Sequence, residues 1–279
     1  MISKLYRLEM NENWRVARIV YPLMIFITAG AALLSLLNNP AIRGISMFIN
    51  ILTLVFGSIY VIVQTVYNDY HNFQGKRGYL FRSIPAKSSE FLLSRFFYYL
   101  SFFLATLIIF TLLFLTVLEV NLEAGVFNIV WIFLSELVFT SGWGIAVSAY
   151  ILISMLISII VLIFVITVGS EAKLHRLGAG GPVLVYFIYY LVGQVLTLLS
   201  MVFIPLGIRM TVNPLNDSIV NVELVTEGML KYFLDSLRLT ADPEQVVIGI
   251  GFIFTQILLA VVIAFLTYRS FDKKFSLRA

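Results

Sequence analysis

The chain has no cysteine, only two histidines among 279 residues, and just 12% of its residues are charged. Without cysteine there is no disulfide, no thiolate metal site and no cysteine nucleophile. Soluble chains are about a quarter charged, so half the usual polar surface is missing. Motifs that carry chemistry are missing too: there is no HExxH, no GxSxG and no paired-glutamate motif within an apolar run. The groups that acid–base or nucleophilic catalysis inside a membrane requires are therefore not in evident place. No GxxxxGK[ST] occurs, so the chain does not bind ATP through a P-loop. The cluster RLGAGGP at 176–182 lacks the preceding strand and following lysine of a phosphate loop, and reads as a flexible lead-in to an apolar run.

Apolar residues fill the space left by these absences. They make up 60% of the chain, and the mean hydropathy is +0.97, against about 45–50% apolar for a soluble domain. Uncharged runs of about 18 residues or more are long enough to cross a hydrocarbon core of about 30 Å. The alternating ten-residue segments of a barrel do not occur. The expected fold is all-α: one polytopic membrane domain over 1–279 with six transmembrane helices. The spans fall at about 19–37, 46–67, 91–118, 143–169, 182–205 and 245–268. Residues 126–142, which include Glu136, read as an interfacial or re-entrant helix leading into the fourth span. The first apolar run starts only near Ile19 and has no cleavage pattern behind it, unlike a signal peptide.

Six spans put both termini on one side of the membrane. That side receives 15 of the 19 Lys and Arg residues, and the other receives Arg43, Arg209, Lys231 and Arg238. The positive-inside rule makes the basic side cytoplasmic, with both termini there and the cell membrane as the location. The net charge of +4 thus reports orientation and not nucleic-acid binding. In the first 18 residues Ile2, Tyr6, Met10 and Trp14 recur every four positions beside Arg7 and Arg15, with Arg18 following. Such a pattern suits a helix lying in the headgroup plane, with membrane lipid as its partner. Beyond the fifth span, 207–244 forms the longest extracytoplasmic segment, where Leu230, Phe233, Leu234 and Leu237 share one face of an amphipathic helix. The interiors of the third, fifth and sixth spans carry no ionisable residue by this reading, and His71 and His175 fall in loops. Gln64, Gln194 and Gln256 lie within spans, as interhelical hydrogen-bonding groups or as members of a substrate path.

The segment between the second and third spans, 68–90, is unlike the rest. YNDYHNFQGKRGYLFRSIPAKSSEFLLSRF combines Lys76, Arg77, Arg82 and Lys87 with Tyr79, Leu80, Phe81 and Ile84, punctuated by Gly75, Gly78 and Pro85. Pro85 disfavours a continuous helix, and Ser88, Ser89 and Glu90 offer a new helical start. An apolar knob within a basic rim fits a membrane-surface anchor or a docking site for a cytoplasmic protein.

GYLFRSIPAKSSEFLLSRFF resembles the GYL…TLP…LLLSK segment of ABC type-2 exporter permeases, particularly their six-span Gram-positive forms. KLYRLEMNENWRVARIVYPLMIF is similar to their N-terminal helix running into the first span. VITVGSEAKLHRLGAGGPVLVYFIYYLVGQVL resembles their fourth-to-fifth span junction, and TYRSFDKKFSLRA their basic C-terminus. Arg82-Ser83 departs from the pair that usually precedes the Leu/Ile-Pro. The resemblance implies a coupling helix from Gly78 to Glu90 that inserts into a separate ATP-binding subunit, with Lys173 and Arg176 as a second contact. It implies a dimer with a second permease copy or a related permease. It also places ATP and Mg on the partner, leaving this chain without a cofactor, a catalytic residue or a metal. The alternative is a non-transporting scaffold or sensor whose basic loop binds a protein or anionic lipid.

Overall fold

The computed structural model describes residues 2–37, 39–74, 84, 86–121, 125–135, 142–171, 174, 177–178, 180–212, 219–238 and 245–273. Its elements in chain order are α1 (Ile2–Ser35), α2 (Pro40–Gln74), α3 (Ser88–Asn121), α4 (Val126–Ser135), α5 (Gly142–Gly169) and α6 (Gly180–Phe203). Strands β1 (Gly207–Val212) and β2 (Ile219–Val225), helix α7 (Met229–Leu237), strand β3 (Gln245–Gly249) and helix α8 (Phe252–Lys273) follow. Six helices (α1, α2, α3, α5, α6 and α8) contain stretches long and apolar enough to cross a membrane. Their apolar residues Phe26, Phe56, Phe187 and Phe265 are exposed, as the surface of a membrane-crossing helix requires. The chain is a multi-pass, helical membrane protein.

Two compact units divide the chain, Met1–Ile163 and Phe164–Ser276. In the first, α1, α2 and α3 pack on one another. The buried column of α1 is Leu5, Glu9, Asn13, Ala17, Tyr21 and Met24, spaced three or four apart so that they stack on one helical face. The expected interfacial helix 1–18 and the first span are in fact one unbroken helix, Ile2–Ser35. Its buried face lies one position behind the stripe expected at the surface, because α1 packs on α2 and α3 through Leu5, Glu9 and Asn13. Of the expected anchors, Tyr6 and Met10 are half-buried, while Trp14, Arg15 and Arg18 are exposed. Arg18 stacks over the Trp14 ring at 5.8 Å.

In the second unit α6 and α8 run antiparallel. Ser200 Oγ lies 2.6 Å from Thr255 Oγ1 at one end, and Ser270 Oγ donates to Glu171 Oε1 (2.7 Å) at the other. Gly181 packs against the Gly169 carbonyl, so a Cβ there would overlap it. The glycine cluster is a close-packed joint at this point. Segment 207–244 and the start of the expected sixth span hold a three-stranded antiparallel sheet, ordered β2-β1-β3. Gly207 pairs with both Val225 and Gly249. Residues 245–249 are therefore strand, and the sixth spanning helix begins at Phe252. IVNVELV carries the period-two alternation of a half-exposed strand, a signal that the surrounding apolar runs obscure.

Candidate functional site

Described residues of the expected coupling segment are few. Gly78, Tyr79, Leu80, Phe81, Arg82 and Pro85 lie outside them, as do Lys173 and Arg176 of the second expected contact. Ile84, Lys87 and Glu90 lie within. The Lys87 backbone N–H donates to Glu90 Oε2 (3.1 Å), while the Lys87 carbonyl accepts from the Glu90 N–H (2.9 Å). Glu90 thus reaches back to the residue that opens α3, half of a capping box. At the other flank α2 continues to Gln74, so the stretch between the helices is 75–87, shorter than the expected 68–90.

The ends of α2 and α3 that flank this stretch in sequence carry the most concentrated polar chemistry among the described residues. Asp69 on α2 accepts from Arg95 Nε (2.9 Å), Arg95 Nη2 (2.6 Å) and the Tyr99 hydroxyl (2.7 Å). Both ion-pair side chains are 1% exposed. Arg95 corrects the expectation that the third spanning helix carries no buried charge: it belongs to α3 and not to a loop, and Asp69 likewise belongs to α2. Apolar surroundings make such a pair tolerable only when the remaining lone pairs and protons find partners. Tyr99, which is fully buried, supplies one of them.

Glu9 on α1 completes the cluster. It is buried, and neither carboxylate oxygen has a hydrogen-bond partner among the described residues. Burial, reinforced by the Asp69 carboxylate, holds its pKa well above the usual carboxylate range. Arg95 and the neighbouring Ser94 hydroxyl pull the other way without prevailing. Burial thus favours the neutral form of Glu9 beside the ion pair, because an isolated buried carboxylate neutralises more cheaply than it stays charged. One turn further along, Asn13 Nδ2 donates to Thr65 Oγ1 (2.8 Å) and Asn68 Nδ2 donates to Asn13 Oδ1 (2.5 Å). Tyr6 and Ser101 join α1 to α3 (2.9 Å), as do Tyr21 and Thr106 (2.9 Å). The three helices are cross-linked by polar contacts from the ends of α2 and α3 that flank 75–87 in sequence as far as Tyr21 and Thr106, near the middle of α1 and α3.

The three glutamines expected along a substrate path divide between the two units. Gln64 donates to Asn68 (3.1 Å) one turn along its own helix, in the first unit. Gln194 is exposed on α6 and Gln256 half-buried on α8, in the second. No group of three or more His, Cys, Asp or Glu side chains placed to hold a metal occurs among the described residues. No family model, curated protein or solved structure matches the chain.

The polar column was readable in part. Glu9 and Asn13 are four apart on α1, and Thr65, Asp69 and Asn72 recur every three to four on α2, marking one polar face on each helix. Reading Asp69 and Arg95 as loop charges concealed that these faces meet.

Proposed function

We propose that this chain is the membrane-spanning permease subunit of an ATP-driven ABC exporter, acting as half of a dimer. Its segment 75–87 docks a separate ATP-binding subunit, which supplies ATP and Mg, and Lys173 and Arg176 make the second contact. Both termini are cytoplasmic and the site of action is the cell membrane, as the 15-to-4 division of basic residues favours. The apolar spans favour a hydrophobic or amphipathic cargo: a peptide, a lipid-like molecule or a drug.

The observation that carries this reading is the clamp at the base of the docking segment. Asp69 lies five residues before the end of α2, and Arg95 seven residues after the start of α3. At 1.5 Å per residue these are about 7.5 and 10 Å from the segment's two ends. A slack loop would absorb a push from an ATPase. A segment whose flanking helices are bridged by a bidentate ion pair, and tied to α1 through Asn13 and Thr65, transmits it to three helices together. The resemblance of GYLFRSIPAKSSEFLLSRFF to the exporter segment supports the same assignment.

Co-purification from native membranes tests the proposal, comparing wild type with Tyr79→Ala/Phe81→Ala/Ile84→Ala. An ATPase subunit should accompany the wild type and be lost with the triple variant, since truncating central aromatic anchors costs about 2 kcal/mol or more each. If no nucleotide-binding partner accompanies either protein, the exporter reading falls and the scaffold or sensor takes its place.

A further inference from the structure

Helix α7 has nine residues and buries none of them. At 100° per residue, Met229, Phe233, Leu237, Leu230 and Leu234 occupy an arc about 140° wide. Lys231 and Asp235 lie opposite. Tyr232 donates its hydroxyl to the Gln245 carbonyl (2.7 Å), which turns that flank toward β3 and leaves the apolar arc facing away from the sheet. Phe233 is 57% exposed and Leu237 67%. On the polar side, Glu227 accepts from Lys231 Nζ (2.8 Å) and Arg209 Nη2 (2.6 Å). These two cations lower the Glu227 pKa, Lys231 foremost, so the polar side stays charged.

The position of this helix decides what covers it. Its N-cap, Gly228, sits on the end of α6: a Cβ there would come within 3.2 Å of the Val202 carbonyl and 3.5 Å of the Ile204 carbonyl. Spanning helix α6 ends at Phe203, which is itself 64% exposed. The apolar surface that lipid covers along α6 therefore continues into the α7 arc where the span ends. Nine residues give about 13.5 Å of helix, under half of the hydrocarbon thickness, so α7 is too short to cross. An apolar arc, an opposed charged face and a starting point at the end of a span are the features of a helix lying in the plane of the interface.

We infer that α7 is seated in one leaflet of the bilayer, with Leu230, Phe233, Leu234 and Leu237 in the boundary between headgroups and acyl chains. Lipid at the mouth of α6 is its partner. The inference rests on α6 being a spanning helix and does not depend on ATP coupling, so either can fail without the other. With no native cysteine in the chain, single-site labelling needs no background substitutions. Phe233→Cys, Leu237→Cys and, as a polar-face reference, Lys231→Cys would each carry an environment-sensitive fluorophore in the full-length protein, reconstituted in phosphatidylcholine vesicles. Labels at 233 and 237 should be blue-shifted, quenched by doxyl-labelled lipid and protected from aqueous iodide, with 231 behaving in the reverse sense. Iodide quenching at 233 and 237 equal to that at 231 would overturn the inference. Protection from both quenchers would also overturn it, because a second copy or another protein would then cover the face.

Discussion

Asp69→Asn is the most informative single change in the chain. It keeps the shape of the side chain and an oxygen for the Tyr99 hydroxyl, and it removes the charge that Arg95 faces at 2.6 Å. Arg95 is 1% exposed, so its guanidinium is left without the counter-ion that made burial tolerable. Removing one member of a buried pair costs about 3–5 kcal/mol. Glu9 should soften that cost in part: burial, the foremost cause of its raised pKa, persists, but the Asp69 charge that adds to it is gone and the attraction of Arg95 remains. The change moves Glu9 toward its ionised form, in which it would serve as a reserve counter-ion. The expected result for Asp69→Asn is a loss near the lower end of that range in detergent unfolding at neutral pH. Glu9→Gln/Asp69→Asn should lose more than the sum of the two single changes. Asp69→Leu/Arg95→Met, which removes the whole pair, should recover much of the loss, since apolar replacements of buried pairs are often neutral or stabilising. A cost under about 1 kcal/mol for Asp69→Asn would refute the clamp. Additivity within about 0.5 kcal/mol in the Glu9–Asp69 cycle would refute the reserve role.

Glu9 alone gives a pH signature. Its folded pKa lies above the ordinary 4.5, so above pH 4.5 the unfolded chain releases a proton that the folded chain retains. Wild type should therefore lose stability relative to Glu9→Gln as pH rises from about 4.5 through the folded value, with the difference between them constant at lower pH; unfolding midpoints measured from pH 4 to 9 would detect it. Asn50 is fully buried on α2, and neither amide atom has a partner among the described residues. Asn50→Leu should stabilise the protein by about 1–3 kcal/mol by removing that desolvation penalty, and an unchanged or lower melting temperature would show that the amide is satisfied. In the second unit, a Cβ on Gly249 would overlap the Met201 carbonyl oxygen. Gly249→Ala should therefore cost about 1–3 kcal/mol through forced backbone movement, and an unchanged melting temperature would argue against this close approach.

The number and order of the spanning helices were legible because a run of about 20 apolar residues has few alternatives to crossing a membrane. Helix α7 was legible from the spacing of Leu230, Phe233, Leu234 and Leu237. The sheet was not, because VVIGIGFIFTQ reads as one continuous apolar run. Only the pairing of Gly207 with Gly249, distant in sequence, divides it into strand and helix. The polar cluster was missed for a related reason. Glu9, Asp69 and Arg95 sit just beyond or just inside the ends of apolar runs, where hydropathy assigns charges to loops. Whether such residues face water or one another depends on which helices pack together, a property of the whole chain.

Helix length explains why the cluster can exist at all. Helices α1, α2 and α3 have 34, 35 and 34 residues, or about 51 Å each, where about 20 residues would cross the hydrocarbon. In α1 the apolar run begins at Ile19, so the surplus is N-terminal and contains Glu9 and Asn13. Their partners Asp69 and Thr65 lie in the last ten residues of α2, and Arg95 in the first eight of α3. These polar residues therefore gather around the ends of α2 and α3 that flank 75–87 in sequence, where the charges are buried among side chains. Under the proposed docking role, a load applied at 75–87 would pass through this clamped three-helix extension into all three spans, which a short hairpin of two helices would not achieve.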